Sequence, residues 1–267
     1  MINKEIEEFK KYVSNFDISI EAIDMKYNHT LRVVGYADRI TTEVTDPDLK
    51  RLSLIGALLH DISRFKQWTE YRTFEDAKSF DHGDMGYEIL VNNDYINNYV
   101  QNDYEKEVVL NAVKQHNKKE LELTGDFKTD FVAKVVRDAD KIDILDKQYN
   151  LADTRTCKYR YVDYLNEFGE YSDKQFDIND KLFDDVVNHR MCANKDVKYF
   201  FDAVLRELAF IYDVNFKSSF KIIKDLKIIE SKRVLLETLN KKEEIRGKID
   251  LIIKTISYFI DDKLKED

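Results

Sequence analysis

A single proline, Pro47, and seven glycines are spread over 267 residues, so little in this chain can stop a helix once it has begun. Runs that alternate apolar and polar residues, as strands do, are hard to find. These two absences predict an all-α fold. Cysteine is scarce as well. Cys157 and Cys192 are too few and too far apart for a disulfide framework or a thiolate metal site, which fits reduced thiols in a cytosol. No apolar run approaches the ~18 to 20 residues of a membrane span. The charged start Met1-Ile2-Asn3-Lys4-Glu5 lacks the apolar segment of a signal peptide. The chain therefore reads as cytoplasmic, with no membrane partner. Nor is there an excess of basic residues: a formal net charge of -9 argues against an extended nucleic acid as partner. A small phosphate ester in a locally positive pocket is compatible with that charge. Also missing are a Gly-x-Ser-x-Gly elbow, a Cys-x-x-Cys pair and a P-loop, so the chemistry has to come from elsewhere.

What is present is 43% apolar residues, enough for a sizeable core, and 36% charged residues with the signs interleaved. Ile23, Tyr27, Leu31, Val34 and Ala37 recur at helical spacing and predict a helix from about Ile20 to Val44. Thr45-Asp46-Pro47 ends it and starts the next. From Leu49 to Ile62 the chain is apolar almost all round, which predicts a buried central helix. Residues 66–80 mix aromatics and charges without a period and are expected to form a loop. Asp81 is placed to cap a short helix to about Val91. Tyr104 to Lys118 predicts another helix, and Thr129 or Asp130 opens a long one to about Gln148. Residues 151–180 carry loop signals. Helical patterns resume at 182–189, 197–213, 216–239 and 241–265. The expected organisation is a helical core over residues 1–150 with a helical extension over 151–267 packed on it, or one continuous domain.

The chain has only five histidines, and four of them follow one order: His29, His60, His82, His116. Each falls on or at the end of an expected helix. Asp61 stands beside His60, and Asp140 completes the series. Nitrogen and oxygen donors with no thiolate suit one or two divalent ions, drawn from Mn, Fe, Mg, Co, Ni or Zn. Adjacent residues on a helix point about 100° apart. His60 and Asp61 can therefore share an ion only at a helix end, which is where their apolar run closes. A carboxylate left unpaired there costs on the order of several kcal/mol, and coordination removes that cost. Asp140 and Asp143 share a face with Val136 that should point inward, where a cation explains a carboxylate better than solvent does. Taken singly, each residue has a plainer reading. His29 can be a buried histidine held by a neighbour, Asp61 a cap, and His82 and His116 satisfied surface groups. Arg137 and Asp138 point away from the inward face, towards flanking or surface positions. Asp138 and Asp143 are candidates to orient ligands from behind.

The order His29, His60-Asp61, Asp140, with Asp140 inside Asp138-Ala139-Asp140-Lys141-Ile142-Asp143, resembles the HD-domain superfamily of metal-dependent phosphohydrolases. Leu58-Leu59-His60-Asp61-Ile62-Ser63-Arg64-Phe65 resembles that family's apolar helix closing on His-Asp, with Ser63 where glycine is common. His82 and His116 resemble the two extra histidines of its two-metal variant. The likeness spans about residues 20 to 150. It implies an HD-like helical bundle in which Asp61 bridges two ions, His29, His60 and Asp140 complete one site, and His82 and His116 the other. Metal-activated water then attacks phosphorus in line.

Arg64 takes the place where the family often carries a phosphate-facing lysine, and its fork suits a phosphoryl group. The alternative for Arg64 is a salt bridge to Asp76 or Glu75. Lys78 and Lys141 are further candidate substrate cations, each open to reading as a structural pair. No Gly-Tyr-Pro follows His116, which argues against the cyclic-dinucleotide branch. The implied activity is hydrolysis of a small phosphate ester, foremost a nucleotide, by a phosphomonoesterase or phosphodiesterase, in a chain that can form a homodimer. Two alternatives use the same donors: a di-iron oxygenase similar to myo-inositol oxygenase, and a nucleotide sensor without turnover. Trp68, Tyr71, Phe74 and Phe80 either stack on a base or buttress a helix junction. Arg155, Lys158 and Arg160, interleaved with Tyr159 and Tyr161, are a nucleotide clamp or a solvated segment. His189 belongs to no pattern.

Overall fold

The computed structural model describes residues 2–146, 176–240 and 242–266, and every regular element among them is helical. The segment of Arg155 to Tyr161, and Cys157 with it, lies outside the described residues. The chain divides into two compact units, residues 1–143 and 144–267. No described helix is long and apolar enough to cross a membrane.

Unit 1–143 is built on α1 (Asn3–Val13), α2 (Glu21–Ile40), α3 (Pro47–Leu59), α4 (Arg64–Tyr71), α5 (His82–Val91), α6 (Asp103–Gln115) and the greater part of α7 (Phe127–Asp146). The central helix is α3. Asp46 caps it by accepting from the backbone N–H of Asp48 and Leu49, Pro47 fits its first turn, and every residue from Leu52 to Leu59 is buried. Gly56 is where α3 meets α6 and α7. A Cβ there would stand 2.9 Å from Val136 Cγ2 and 3.5 Å from Ala112 Cβ, so only glycine admits this approach. Asp81 caps α5 as its position implies, accepting from Gly83 and Asp84 N–H. Asn102 caps α6, and Asp126 accepts from Thr129 N–H near the start of α7.

Three boundaries differ from the periodic pattern. Helix α2 stops at Ile40, where the Thr41 hydroxyl folds back on the Ala37 carbonyl. Helix α3 stops at Leu59, and α6 at Gln115, so that His60 and His116 occupy the ends of their helices and not their interiors. The expected loop from Lys66 is instead helical to Tyr71. Phe65 anchors α4, its ring packing on those of Phe9, Tyr12 and Phe16. Packing of that kind stabilises a helix too short to announce itself by period.

In unit 144–267 the described elements are α8 (Asp180–Val187), α9 (Phe200–Ala209), α10 (Lys217–Asp225), α11 (Ile228–Leu239) and α12 (Glu243–Lys265). The single helix expected over 216–239 is two, broken where Lys227 adopts φ 53°. The break lets Phe220 and Ile223 on α10 and Leu235 and Leu236 on α11 bury separately, and both helices pack on α12. Along α12, Ile245, Ile249, Ile252, Ile256 and Ile260 form one apolar stripe. His189 is exposed at φ 57°, its ring against Tyr212 and Phe259.

Candidate metal centre

Four imidazoles are fixed by the same device. His60 and His116, each closing a helix, place Nδ1 2.7 Å from the carbonyl three residues back, that of Ala57 and of Val113. A carbonyl only accepts, so Nδ1 carries the proton and Nε2 keeps its lone pair. His29 Nδ1 lies 2.6 Å from Asp143 Oδ2, and His82 Nδ1 2.5 Å from Asp76 Oδ2. All four rings therefore turn Nε2 towards one space, and Asp61 stands in the middle of it. Its Oδ2 lies 3.4 Å from His29 Nε2 and 3.5 Å from His60 Nε2. Its Oδ1 lies 3.6 Å from His116 Nε2 and 3.7 Å from His82 Nε2. Asp140 Oδ1 joins the first side, 3.2 Å from His29 Nε2 and 3.8 Å from His60 Nε2.

The donor atoms of His29, His60 and Asp140 lie within 4.8 Å of one another, as do those of His60, Asp61 and His116. His116 Nε2 is buried without a hydrogen-bond partner, which costs about 1–3 kcal/mol. A divalent cation is a group that such a lone pair can bind, and the mixed nitrogen and oxygen donors fit it. Residues 27–146 match the family model of the HD domain, a stretch that holds all four histidines and both carboxylates. These residues form an HD domain. HD domains are mostly metal-dependent phosphohydrolases. No curated protein and no solved structure matches the chain.

The electrostatics of the HD domain favour neutral imidazoles at His60 and His82 beside charged carboxylates. Burial pushes His60 down to about 4, with His116 and His29 adding to it. Burial and the Arg64 guanidinium push His82 down to about 4. His29 goes the other way. Burial and Lys26 oppose its protonation, but Asp140, Asp143 and Asp61 outweigh them and raise it to about 9. Burial also disfavours the ionised form of Asp61, yet Lys26, His60 and Arg64 hold it well below the usual carboxylate range. Against the same burial, His29 and His60 keep Asp140 low.

Asp143, expected from the sequence to be an orienting carboxylate, lies 2.6 Å from His29 Nδ1 and is itself held by Arg32 Nε at 2.6 Å. Arg64 makes the salt bridge to Asp76 that was one of its two readings. Its Nε lies 3.3 Å from Asp61 Oδ1 and its Nη2 3.1 Å from His82 Nε2, while Nη1 donates to Asp76 Oδ1 at 3.1 Å. Glu75 pairs instead with Lys78, exposed on the turn Asp76–Lys78, which favours the structural reading of that lysine. Lys141 is buried on α7. Of the flanking and surface positions open to Arg137 and Asp138, the surface one is corrected: both are buried. Arg137 Nη1 donates to the carbonyls of Gln115, His116 and Lys118, and so closes the end of α6 that presents His116. Ser63 donates to the His82 carbonyl at 2.7 Å, tying the His-Asp turn to the start of α5. Trp68 packs on Phe74 and Tyr71 on Phe80, as buttressing aromatics do.

Two residues of the site hold positions the sequence did not assign to them. Asp76, named only as a possible partner of Arg64, also fixes His82 and gathers Gln67 and Asn117, in an aperiodic stretch that gave no signal of this. Lys26 lies one helical turn before His29 on α2 and places Nζ 2.8 Å from Asp61 Oδ2. Its i, i+3 spacing to His29 was the available signal.

Proposed function

We propose that this HD domain hydrolyses a small phosphate ester, foremost a nucleotide, using divalent ions held by His29, His60, Asp61, His82, His116 and Asp140. One observation carries the reading. Asp61 turns one oxygen to His29 and His60 and the other to His82 and His116, so two donor sets share a single carboxylate. Bound there, the ions supply Lewis acidity and a water of lowered pKa. The chain's own residues do the positioning. Asp143 and Asp76 keep the proton of their imidazole on Nδ1, and the carbonyls of Ala57 and Val113 do the same for His60 and His116.

Lys26 and Arg64 bring two positive charges to Asp61, which suits an anionic substrate better than the neutral polyol of an inositol-type oxygenase. The test is metal analysis of protein purified without chelator, joined to a hydrolysis screen over nucleotides and sugar phosphates with Mn or Mg. About two ions per chain and turnover of at least one ester are expected. Iron with oxygen-dependent turnover would place the chain among the oxygenases, and tight nucleotide binding without turnover would make it a sensor.

A further inference from the structure

Lys26 is a costly residue to keep beside a metal centre. Its side chain is 16% exposed and its ammonium is 2.8 Å from Asp61 Oδ2, where its charge opposes the loading of any cation. Arg64 adds a second positive charge at the other oxygen of the same carboxylate. Both cations also face one ring: Phe74 has Lys26 Nζ 5.3 Å and Arg64 Cζ 5.7 Å from its centroid. The ring is braced in turn by Trp68, 5.0 Å away. One aromatic wall thus carries two cations on the Asp61 side of the cluster. Such a site has more positive charge than its carboxylates balance once divalent ions are present, and the surplus is relieved by a ligand of high negative charge. A phosphate monoester carries close to two negative charges near neutral pH, a diester only one.

We propose that Lys26 and Arg64 form a two-cation clamp across Phe74 that selects phosphate monoesters over diesters, with Lys26 donating to a non-bridging phosphoryl oxygen. The proposal rests on the phosphohydrolase reading above and names its substrate class. In that hydrolysis the oxygen of water forms the new bond to phosphorus, the bond from phosphorus to the alcohol oxygen breaks, and one water proton ends on the alcohol. The clamp takes no part in that transfer. It binds the dianion and leaves the reacting atoms to the metal side. Lys26 stands on α2, one position before the stretch that matches the HD domain, and Arg64 stands within it.

The experiment compares full-length wild type with Lys26→Met and Lys26→Gln, all loaded with Mn. Three quantities are read: metal content, calorimetric binding of inorganic phosphate, and the ratio of kcat/KM for p-nitrophenyl phosphate to that for bis-p-nitrophenyl phosphate. Lys26→Gln keeps a donor to Asp61 and removes the charge, so it remains informative if Lys26→Met folds poorly. The expected result is two ions in every protein, phosphate binding weakened about tenfold or more in both variants, and the monoester-to-diester ratio lowered about tenfold. Lys26→Arg should recover most of the phosphate affinity. Equal phosphate affinity in wild type and the charge-removing variants would overturn the clamp, whatever the turnover. If wild type binds phosphate through Lys26 yet hydrolyses neither ester nor any nucleotide, the clamp stands and the hydrolase reading falls.

Discussion

Among the described residues of unit 144–267, the buried carboxylates Asp202 and Glu207 are answered by donors of the chain itself. Asp202 accepts from the backbone N–H of Asn179, Lys198 and Tyr199 at 2.8 to 3.1 Å, and Glu207 lies 3.1 Å from the buried Lys232 ammonium. In unit 1–143 the balance is different. His60 and His116 offer lone pairs across a buried space to Asp61 and Asp140, groups that also only accept, at 3.5 to 3.8 Å. A donor-matched interior holds a fold together, whereas an acceptor-rich one stores a penalty that a cation relieves. The two units therefore differ in what their buried polar groups are for. Substitutions should separate them: in the first unit they change metal binding and turnover, in the second only stability.

The largest effect is expected at Asp61. Asp61→Ala removes the carboxylate shared by both donor sets, so bound metal should fall to near zero and hydrolysis to background, read by elemental analysis and ester turnover. Retained activity would end the bridging role. Glu207→Leu is the matching substitution in the other unit. It leaves Lys232 buried without that carboxylate and should cost about 3–5 kcal/mol in urea unfolding, at unchanged metal content per folded chain. Metal loss in that variant would mean the contrast is not one of function.

Smaller effects follow from how the imidazoles are held. His82→Ala and His116→Ala should each lower metal content from two ions towards one, and unchanged stoichiometry would remove that histidine from the donor set. Asp143→Asn keeps the shape but weakens the grip on His29 Nδ1–H. It should lower affinity for the His29-side ion about 10- to 100-fold, measured by competition with a chelating dye.

How much of this the sequence carried depends on the physics behind each feature. The residues that converge were readable because metal donors are few in kind and four histidines in a chain otherwise short of them stand out. Helix α3 was readable because it is apolar almost all round, and α2 because Ile23, Tyr27, Leu31, Val34 and Ala37 recur at helical spacing. The bend at Lys227 was not, since neither glycine nor proline marks it and the left-handed residue is a lysine. Helix α4 was missed because its stability comes from Phe65 meeting Phe9 and Phe16, partners about fifty residues or more away in sequence. For Arg137 the helix face left a flanking and a surface position open. Its burial depends on the carbonyls at the end of α6, which only the fold brings within reach. Asp76 reaches His82 from an aperiodic stretch that gives no hint of it, and Lys26 reaches Asp61 with only its i, i+3 spacing to His29 to suggest it.

The smallest expected effect concerns the cap that starts the His82 helix. Asp81 Oδ1 accepts from Gly83 and Asp84 N–H and from Asn117 Nδ2, and its Oδ2 lies 2.8 Å from Lys118 Nζ. Burial disfavours its ionised form, but Lys118, Asn117 and the Asp84 N–H outweigh that and hold its carboxyl down to about 2. A carboxyl lower in the folded state than in the unfolded chain contributes stability above its unfolded value, near 4, and loses it as pH falls through about 2. Asp81→Asn keeps a capping oxygen and removes the charge. Because the side chain is 39% exposed, solvent screens the charge and the difference should be modest, about 0.5 to 1 kcal/mol at pH 7. Urea midpoints of wild type and Asp81→Asn should differ at pH 7 and converge as pH approaches 2. A gap that stays constant over that range would assign the cap's contribution to shape and not to charge, and would leave Lys118 without a role at the start of α5.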